Sequence, residues 1–420
     1  MKDGFIRVAA ATPDIHVADP QYSSEQIIEL MEQGSTRGVK VMAFPELCLT
    51  AYTCSDLFLQ ETLLKEAKNG LKRILQSSKS KDMVLFVGMP WMHKGKLYNV
   101  AAVVNRGRIL GIVPKKHLPN YSEFYELRHF TPGMEKVEMT EWEGLQTPMG
   151  MKLLFSCRTM PELVLAAELC EDVWVPCPPS ISHALAGATV IANCSASDET
   201  TGKDRYRYDL ICGQSARLVC GYIYANAGEG ESTQDLVFGG QNIIAENGTS
   251  LVQSDRFKNA CICADMDLGR IISERRRMTT FKDEENKASS YETVYLNTED
   301  ITKKDSKKAG QKNDEILRYI DPAPFVPHDA GQRERRCEEI LSIQAMGLKK
   351  RLAHTNCKHA VIGLSGGLDS TLALLVTIRA FDMLRIPREN IHCITMPCFG
   401  TTDRTYTNAC TMAKKTGASL

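Results

Sequence analysis

The chain has 420 residues, 43% of them hydrophobic and 24% charged, with 51 basic and 51 acidic side chains and a formal net charge of zero. That length exceeds what one hydrophobic core ordinarily fills, so two or three domains are expected, and the charge balance argues against a nucleic acid or an anionic membrane as the main partner. The fifteen cysteines are odd in number and follow no repeating spacing, with no Cys-x-x-Cys pair and no His-x3-His partner. They point to reduced thiols in a cytosol rather than to disulfides or zinc. Met1-Lys2-Asp3-Gly4-Phe5 lacks the apolar core of a signal peptide, and no apolar run is long enough to span a bilayer. A soluble, cytoplasmic protein is expected.

Residues 5–11 read as a strand. Residues 23–34 have helical spacing (Ile27, Ile28, Leu30, Met31), with Ser23 or Ser24 as the N-cap. A strand over 39–44 is stopped by Pro45-Glu46, a helical region runs to about Ser78, and 83–88 is a strand. Strands over 98–104 and 108–113 flank Asn105-Arg106-Gly107, which reads as a hairpin. The run Leu163-Val164-Leu165-Ala166-Ala167 is a buried strand leading to Cys170, and Pro176, Pro178 and Pro179 end it. Beyond lie a helix over 180–186, a strand over 189–194, a helix over 205–220 and a strand over 222–226. Further strands are expected over 237–246, 250–253 and 261–265. Strands and helices alternate early and hairpins follow, which predicts a layered α/β domain of about the first 270 residues.

From Glu274 to about Pro327, including Lys282-Asp283-Glu284-Glu285 and the stretch 303–312, apolar residues are sparse, which reads as a linker or surface excursion. A helix is expected over 333–354 and a strand over 358–364. That strand runs into Ser365-Gly366-Gly367-Leu368-Asp369-Ser370, followed by a helix to about Met383 and a strand over 391–396. This order opens a parallel sheet. A doubly wound domain needs several units of about 30 residues each, so a truncated domain is expected.

Phe44-Pro45-Glu46-Leu47 places a carboxylate after one strand, Pro114-Lys115-Lys116-His117-Leu118 an ammonium after another, and Cys170 a thiol after a third. Each alone has an ordinary alternative: a solvated carboxylate, a surface lysine, a small buried hydrophobe. Together they form a set for amide hydrolysis. The thiolate attacks, the carboxylate takes its proton and later activates water, and the ammonium stabilises the oxyanion. A neighbouring lysine is also expected to lower the cysteine pKa. In Ser365–Ser370, two glycines let the backbone approach an anion and a helix N-terminus follows, which suits phosphate; no Gly-Lys-Ser/Thr makes it a Walker A loop. His117, His129 and His183 read as structural.

The Glu46, Lys115 and Cys170 stretches resemble the three signature stretches of the nitrilase superfamily, whose Lys-x-His-Leu pattern favours Lys115 over Lys116. Phe124-Tyr125-Glu126 with Phe130-Thr131-Pro132-Gly133 matches the superfamily's second-glutamate stretch. The resemblance implies an αββα sandwich, with Glu126 orienting the lysine and relaying protons. Ser365–Ser370 resembles the pyrophosphate loop of ATP pyrophosphatases. There Ser365 and Ser370 would contact phosphate and Asp369 would hold Mg²⁺ directly or through water.

The combination resembles the glutamine-dependent NAD⁺ synthetase family, as does the stretch 395–405 with Met396, Thr402 and Arg404 near ATP. It implies domains over 1–275 (glutaminase), 276–332 (linker) and 333–420 (start of the synthetase). It also implies that Cys170 releases ammonia from glutamine, and that a tunnel carries it to deamido-NAD⁺ adenylylated by ATP. Ser197 and Lys203 fall where that family binds glutamine, with Tyr121 and Tyr125 on the same pocket. Glu171 has a structural reading as well as a place in it. A homo-oligomer is implied, and the chain to Leu420 is expected to hydrolyse glutamine without making NAD⁺. The competing readings are an amidase on another small amide, another amidotransferase with a pyrophosphate loop, and a non-catalytic scaffold.

Overall fold

The computed structural model describes residues 4–233, 235–281, 290–296, 315–399 and 402–420. The sequence stretches 282–285 and 303–312, with Met1–Asp3, Gly400 and Thr401, lie outside the described residues. The chain divides into two units, Met1–Tyr319 and Ile320–Leu420.

The first unit carries β1 (Phe5–Ala11), α1 (Pro20–Thr36), β2 (Val41–Ala43), α2 (Glu61–Ser78), β3 (Val84–His93), β4 (Lys96–Asn105) and β5 (Arg108–Pro114). Then come β6 (Glu138–Trp142), β7 (Leu145–Met149), β8 (Leu153–Cys157), β9 (Val164–Leu169), α3 (Pro179–Leu185), β10 (Val190–Ser195), α4 (Lys203–Leu218) and β11 (Gly221–Asn226). It closes with β12 (Ile243–Glu246), β13 (Thr249–Gln253), β14 (Cys261–Asp267), α5 (Leu268–Arg277) and β15 (Glu292–Leu296). One sheet has the order β14-β1-β2-β3-β4-β5-β7-β6 and the other β13-β12-β11-β10-β9-β8-β15.

Strand alternation explains why the sheets stack. Ile6, Val8 and Val103 of the first sheet meet Leu165, Ala167 and Val190 of the second in one core. The outer face of the first sheet is covered by Ile27, Met31, Leu71 and Ile74 of α1 and α2. Ala184 and Ile211 of α3 and α4 cover the second. The layers are therefore αββα. The hairpins turn on residue pairs with positive φ that end in glycine: Lys94-Gly95, Arg106-Gly107, Glu143-Gly144 and Asn247-Gly248. Two such residues in succession match the right-handed strand twist.

Several boundaries differ from the sequence reading. The N-cap of α1 is Asp19, whose side chain accepts from Tyr22 N at 3.0 Å with Pro20 opening the helix; Ser23 and Ser24 are buried inside it. The strand expected over 237–246 begins only at Ile243, because Gly239-Gly240 turns the chain with Gly240 at φ +64. β15 arises in the stretch that composition reads as a linker, pairing parallel with β8 from Glu292↔Leu153 to Leu296↔Cys157. The β6–β7 hairpin and α5 had no counterpart in the sequence reading.

The second unit contains α6 (Ala330–Thr355), β16 (Ala360–Gly363), α7 (Leu368–Leu384), β17 (Ile391–Ile394) and α8 (Asp403–Thr416). β16 and β17 are parallel, from Ala360↔Ile391 to Gly363↔Ile394, with α7 as the crossover. Leu374, Phe381, Ile391 and Ala409 form its core.

Candidate active site

Glu46, Lys115 and Cys170 each leave the end of a strand, and the sandwich brings them together. Glu46 follows β2; its backbone N–H reaches Ser195 O in the other sheet at 3.3 Å, so the turn bridges the two layers. Its side chain is wholly buried. Oε1 accepts Lys115 Nζ at 2.6 Å and Asn99 Nδ2 at 2.6 Å, while Oε2 accepts Ala196 N at 3.1 Å. Lys115, at the end of β5, is also wholly buried and gives a second 2.6 Å hydrogen bond to Glu126 Oε1. The Tyr52 hydroxyl donates to that same oxygen at 2.8 Å. Glu126 Oε2 and Asn99 Oδ1 are buried with no protein partner among the described residues.

This lysine is a fixed cation. Burial works to lower its pKa, but the charges of Glu126 and Glu46 outweigh burial and hold it well above the ordinary value. Burial raises Glu126, against the pull of Lys115. Cys170 opens a short 3-10 turn over Cys170–Val173 directly after β9 and has φ +38, in the left-handed region. Burial pushes its thiol well up and Glu46 adds to this, while Lys115 pulls the other way. Lys115 thus lowers the cysteine as its charge predicts, and burial outweighs that pull. Glu46 is the carboxylate whose field the thiol feels most.

Lys116 points elsewhere, to Glu135 at 3.0 Å with a partly exposed side chain, whereas Lys115 is the lysine buried against Glu46 and Glu126. Asp172 ties the lysine loop to the cysteine turn. Its Oδ1 accepts His117 N and bonds His117 Nδ1, both at 2.9 Å, and Oδ2 accepts Leu169 N at 3.1 Å. Asn99, Tyr52 and Asp172 were missed by sequence reasoning. Asn99 carried a signal as the one polar residue within the apolar run 98–104.

At the rim, Tyr121 OH donates to Glu171 Oε1 at 2.8 Å. Lys203 pairs with Asp198, with its ammonium 5.6 Å from the Trp174 ring centre and 6.0 Å from that of Phe124. Ser197 is buried; its Oγ accepts Arg207 Nη2 at 3.3 Å. Tyr125 is more than half exposed and lines a neighbouring pocket with Tyr52, Glu126 and Phe130.

Two glycines press on the turns that carry Glu46 and Lys115. A Cβ at Gly88 would lie 2.2 Å from Pro45 O and 2.7 Å from Glu46 Cα, and one at Gly133 2.9 Å from Lys115 O. Gly88→Ala is expected to cost about 1–3 kcal/mol by overpacking and to displace Glu46. Thermal unfolding combined with the hydrolysis rate checks this.

In the second unit the loop Ser365–Ser370 leaves β16 and ends in the uncapped N-terminus of α7. Ser365 Oγ and Ser370 Oγ lie 3.1 Å apart. Gly366 has φ +79, and a Cβ there would meet Thr405 O at 2.1 Å, so the loop abuts the start of α8. Thr402 caps α8 through Thr405 N at 3.3 Å. Leu368, Asp369, Met396 and Arg404 are exposed around this end of the parallel strands. Free helix N–H groups, two hydroxyls and a backbone that only glycine allows suit phosphate oxygens. Among the described residues no cluster of His, Cys, Asp or Glu makes a protein-only metal site. Asp369 suits a Mg²⁺ that takes its remaining ligands from phosphate and water.

The carbon-nitrogen hydrolase profile matches residues 7–276. The chain belongs to the carbon-nitrogen hydrolase family. A second profile, NAD synthase, matches residues 340–420. The chain is 39% identical to a glutamine-dependent NAD(+) synthetase of Mycobacterium leprae over 99% of its own length, but spans 61% of that protein. The solved structure of a glutamine-dependent NAD(+) synthetase from Cytophaga hutchinsonii matches 99% of this chain and 64% of that one at 22% identity, TM-score 0.56. An amidase from Nesterenkonia sp. matches 66% of this chain and 97% of its own at 18% identity, TM-score 0.51. Both structures share its fold. No helix among the described residues is long and apolar enough to cross a membrane.

Proposed function

We propose that this carbon-nitrogen hydrolase chain is the glutaminase and the opening of the synthetase part of a glutamine-dependent NAD⁺ synthetase. The observation that carries the reading is Lys115, buried between Glu46 and Glu126 and near enough to Cys170 for its charge to act on the thiol, on a chain that continues into the Ser365–Ser370 loop. The names of its relatives support it. Domains over 1–275, 276–332 and 333–420, a cytoplasmic site of action and a homo-oligomer belong to the same reading.

In the first half-reaction Glu46 takes the Cys170 proton as Sγ attacks the side-chain carbonyl of glutamine. The ammonium of Lys115 stabilises the oxyanion, and its two short hydrogen bonds keep it fixed without reorganisation. Collapse of the tetrahedral adduct expels the amide nitrogen, which takes the proton from Glu46 and leaves as ammonia. Glu46 then deprotonates water, which cleaves the thioester, releases glutamate and returns the proton to sulfur. Lys203, with Tyr121, Glu171 and Ser197, holds the amino-acid end of glutamine, and Tyr125 stands at the neighbouring pocket. In the synthetase part, Ser365, Gly366, Gly367, Leu368 and Ser370 would take ATP phosphates and Asp369 would hold a Mg²⁺ that offsets their charge, with Met396, Thr402 and Arg404 at the nucleotide. There the carboxylate of deamido-NAD⁺ attacks the α-phosphorus of ATP, pyrophosphate leaves to give an acyl adenylate, and channelled ammonia displaces AMP.

The test compares ammonia release from glutamine, asparagine, acetamide and propionamide. Glutamine is expected to give the highest kcat/KM. A small aliphatic amide turned over faster would favour an amidase of the kind the Nesterenkonia enzyme represents. Lys203→Met is expected to raise KM for glutamine about 10–100-fold with kcat nearly unchanged, as loss of a charge-assisted ground-state contact predicts. Steady-state kinetics checks this.

A further inference from the structure

Glu168 takes no part in the reaction as derived, yet it is a buried carboxylate two residues before the nucleophile. Its Oε2 accepts Ser180 N at 2.8 Å, and its Oε1 accepts the hydroxyl of Tyr222. A phenol has one hydrogen, so the Tyr222 oxygen is left as an acceptor, and Asn193 Nδ2 donates to it at 3.1 Å. That contact fixes which way the Asn193 amide faces. Its Oδ1 is turned to accept the backbone N–H of Cys170 at 3.1 Å. Asn193 and Tyr222 are wholly buried, and parallel pairing of β9 with β10 sets Glu168 opposite Asn193. The donor direction thus runs without a break from the Cys170 amide to a carboxylate. Cys170 needs this hold, because its φ of +38 is one a non-glycine residue keeps only when its surroundings over-determine it.

We propose that Glu168 is a positioning residue of the nucleophile, acting through Tyr222 and Asn193 to set the direction of the hydrogen bond that holds the Cys170 backbone amide. The proposal rests on Cys170 being the nucleophile of the function proposed above. Glu168→Gln keeps the shape but reverses the chain. Ser180 N–H claims the side-chain oxygen, so the NH₂ faces Tyr222. The phenol hydrogen then turns to Asn193, whose Oδ1 swings to accept it, and Asn193 Nδ2 meets the Cys170 N–H donor to donor. Removing the hydroxyl as well, with Tyr222→Phe, abolishes the reversal, and Asn193 can again offer Oδ1 to Cys170.

The experiment measures glutamine hydrolysis, and the rate at which iodoacetamide alkylates Cys170 read by peptide mass spectrometry. The chain, Glu168→Gln, Tyr222→Phe and the double variant are compared. Burial holds Glu168 at about 7, against the Tyr222 hydrogen bond, so work at about pH 8 keeps the carboxylate ionised. Glu168→Gln is expected to lower kcat about 10²-fold, the scale of a misplaced reacting group, with KM little changed and alkylation slowed in parallel. The double variant is expected to recover most of that loss. Wild-type rates in Glu168→Gln, or a double variant slower than either single one, would overturn the proposal. Should no variant, nor the chain itself, hydrolyse glutamine, the fault lies with the functional reading, and the alkylation rates alone decide the role of Glu168.

Discussion

Cys170→Ala is expected to abolish glutamine hydrolysis, lowering the rate by at least about 10⁴-fold, while leaving the fold almost unchanged. The large effect follows because the attacking atom itself is removed, which Glu46 and Lys115 can only assist. The small effect on stability follows from the state of the group. Burial disfavours the charged form of Cys170, and the side chain is small and buried, so alanine removes little packing. Alanine also meets the same φ of +38 as cysteine does, so no new backbone strain appears. Glutamate release and thermal unfolding, measured on the same preparations, check both halves. Activity retained in this variant would refute the nucleophile assignment.

Lys115→Met is expected to damage both activity and stability. The ammonium supplies the oxyanion's opposite charge, and loss of one preorganised donor of this kind costs about 10²–10³ in kcat. The stability effect comes from what is left behind. Glu46 and Glu126 each lose a 2.6 Å hydrogen bond to a cation where all three side chains are buried, and breaking a buried pair in this way costs about 3–5 kcal/mol. The deficit is expected to depend on pH with a definite sign. Burial already raises Glu126 while Lys115 opposes it, so removing the lysine raises this carboxyl further. A folded-state pKa above the unfolded value means that the native state binds the extra proton, and stability falls as pH rises. The variant is therefore expected to come closest to the parent below about pH 4, near the unfolded carboxyl value. It should fall progressively further behind as pH rises toward neutrality and beyond. Denaturant unfolding across this range checks the slope, and a deficit that grew on acidification would contradict the buried-triad description.

Much of the site could be read along the chain because strand ends announce themselves locally. An apolar run stopped by proline placed Glu46 and Lys115, and the run before Cys170 did the same for the thiol. The second unit followed the same logic, with Ser365–Ser370 between a strand and a helix. The β6–β7 hairpin escaped notice although Glu143-Gly144 is a turn of the same kind as Arg106-Gly107. Its strands, with Glu138, Thr140 and Glu141, lack the apolar content that marked β4 and β5. β15 escaped for a related reason: a five-residue edge strand with one fully buried side chain, Leu296, has almost no hydrophobic period.

The sequence by itself determined which residues could do chemistry and that each sits where a buried strand ends, since both follow from side-chain type and local periodicity. Tertiary structure alone decided how they act on one another. Glu46 and Lys115 stand 69 residues apart and meet only because β2 and β5 belong to one sheet covered by another. The net upward shift of the Cys170 thiol was likewise beyond the sequence: a neighbouring lysine predicts one sign and desolvation imposes the other, and desolvation is a property of everything packed around a group. The same holds for Asp172 bracing two loops and for Glu168 orienting an amide through two other side chains. Hydrogen-bond direction is settled by which donor faces which acceptor across the finished sheet, and no local pattern encodes that.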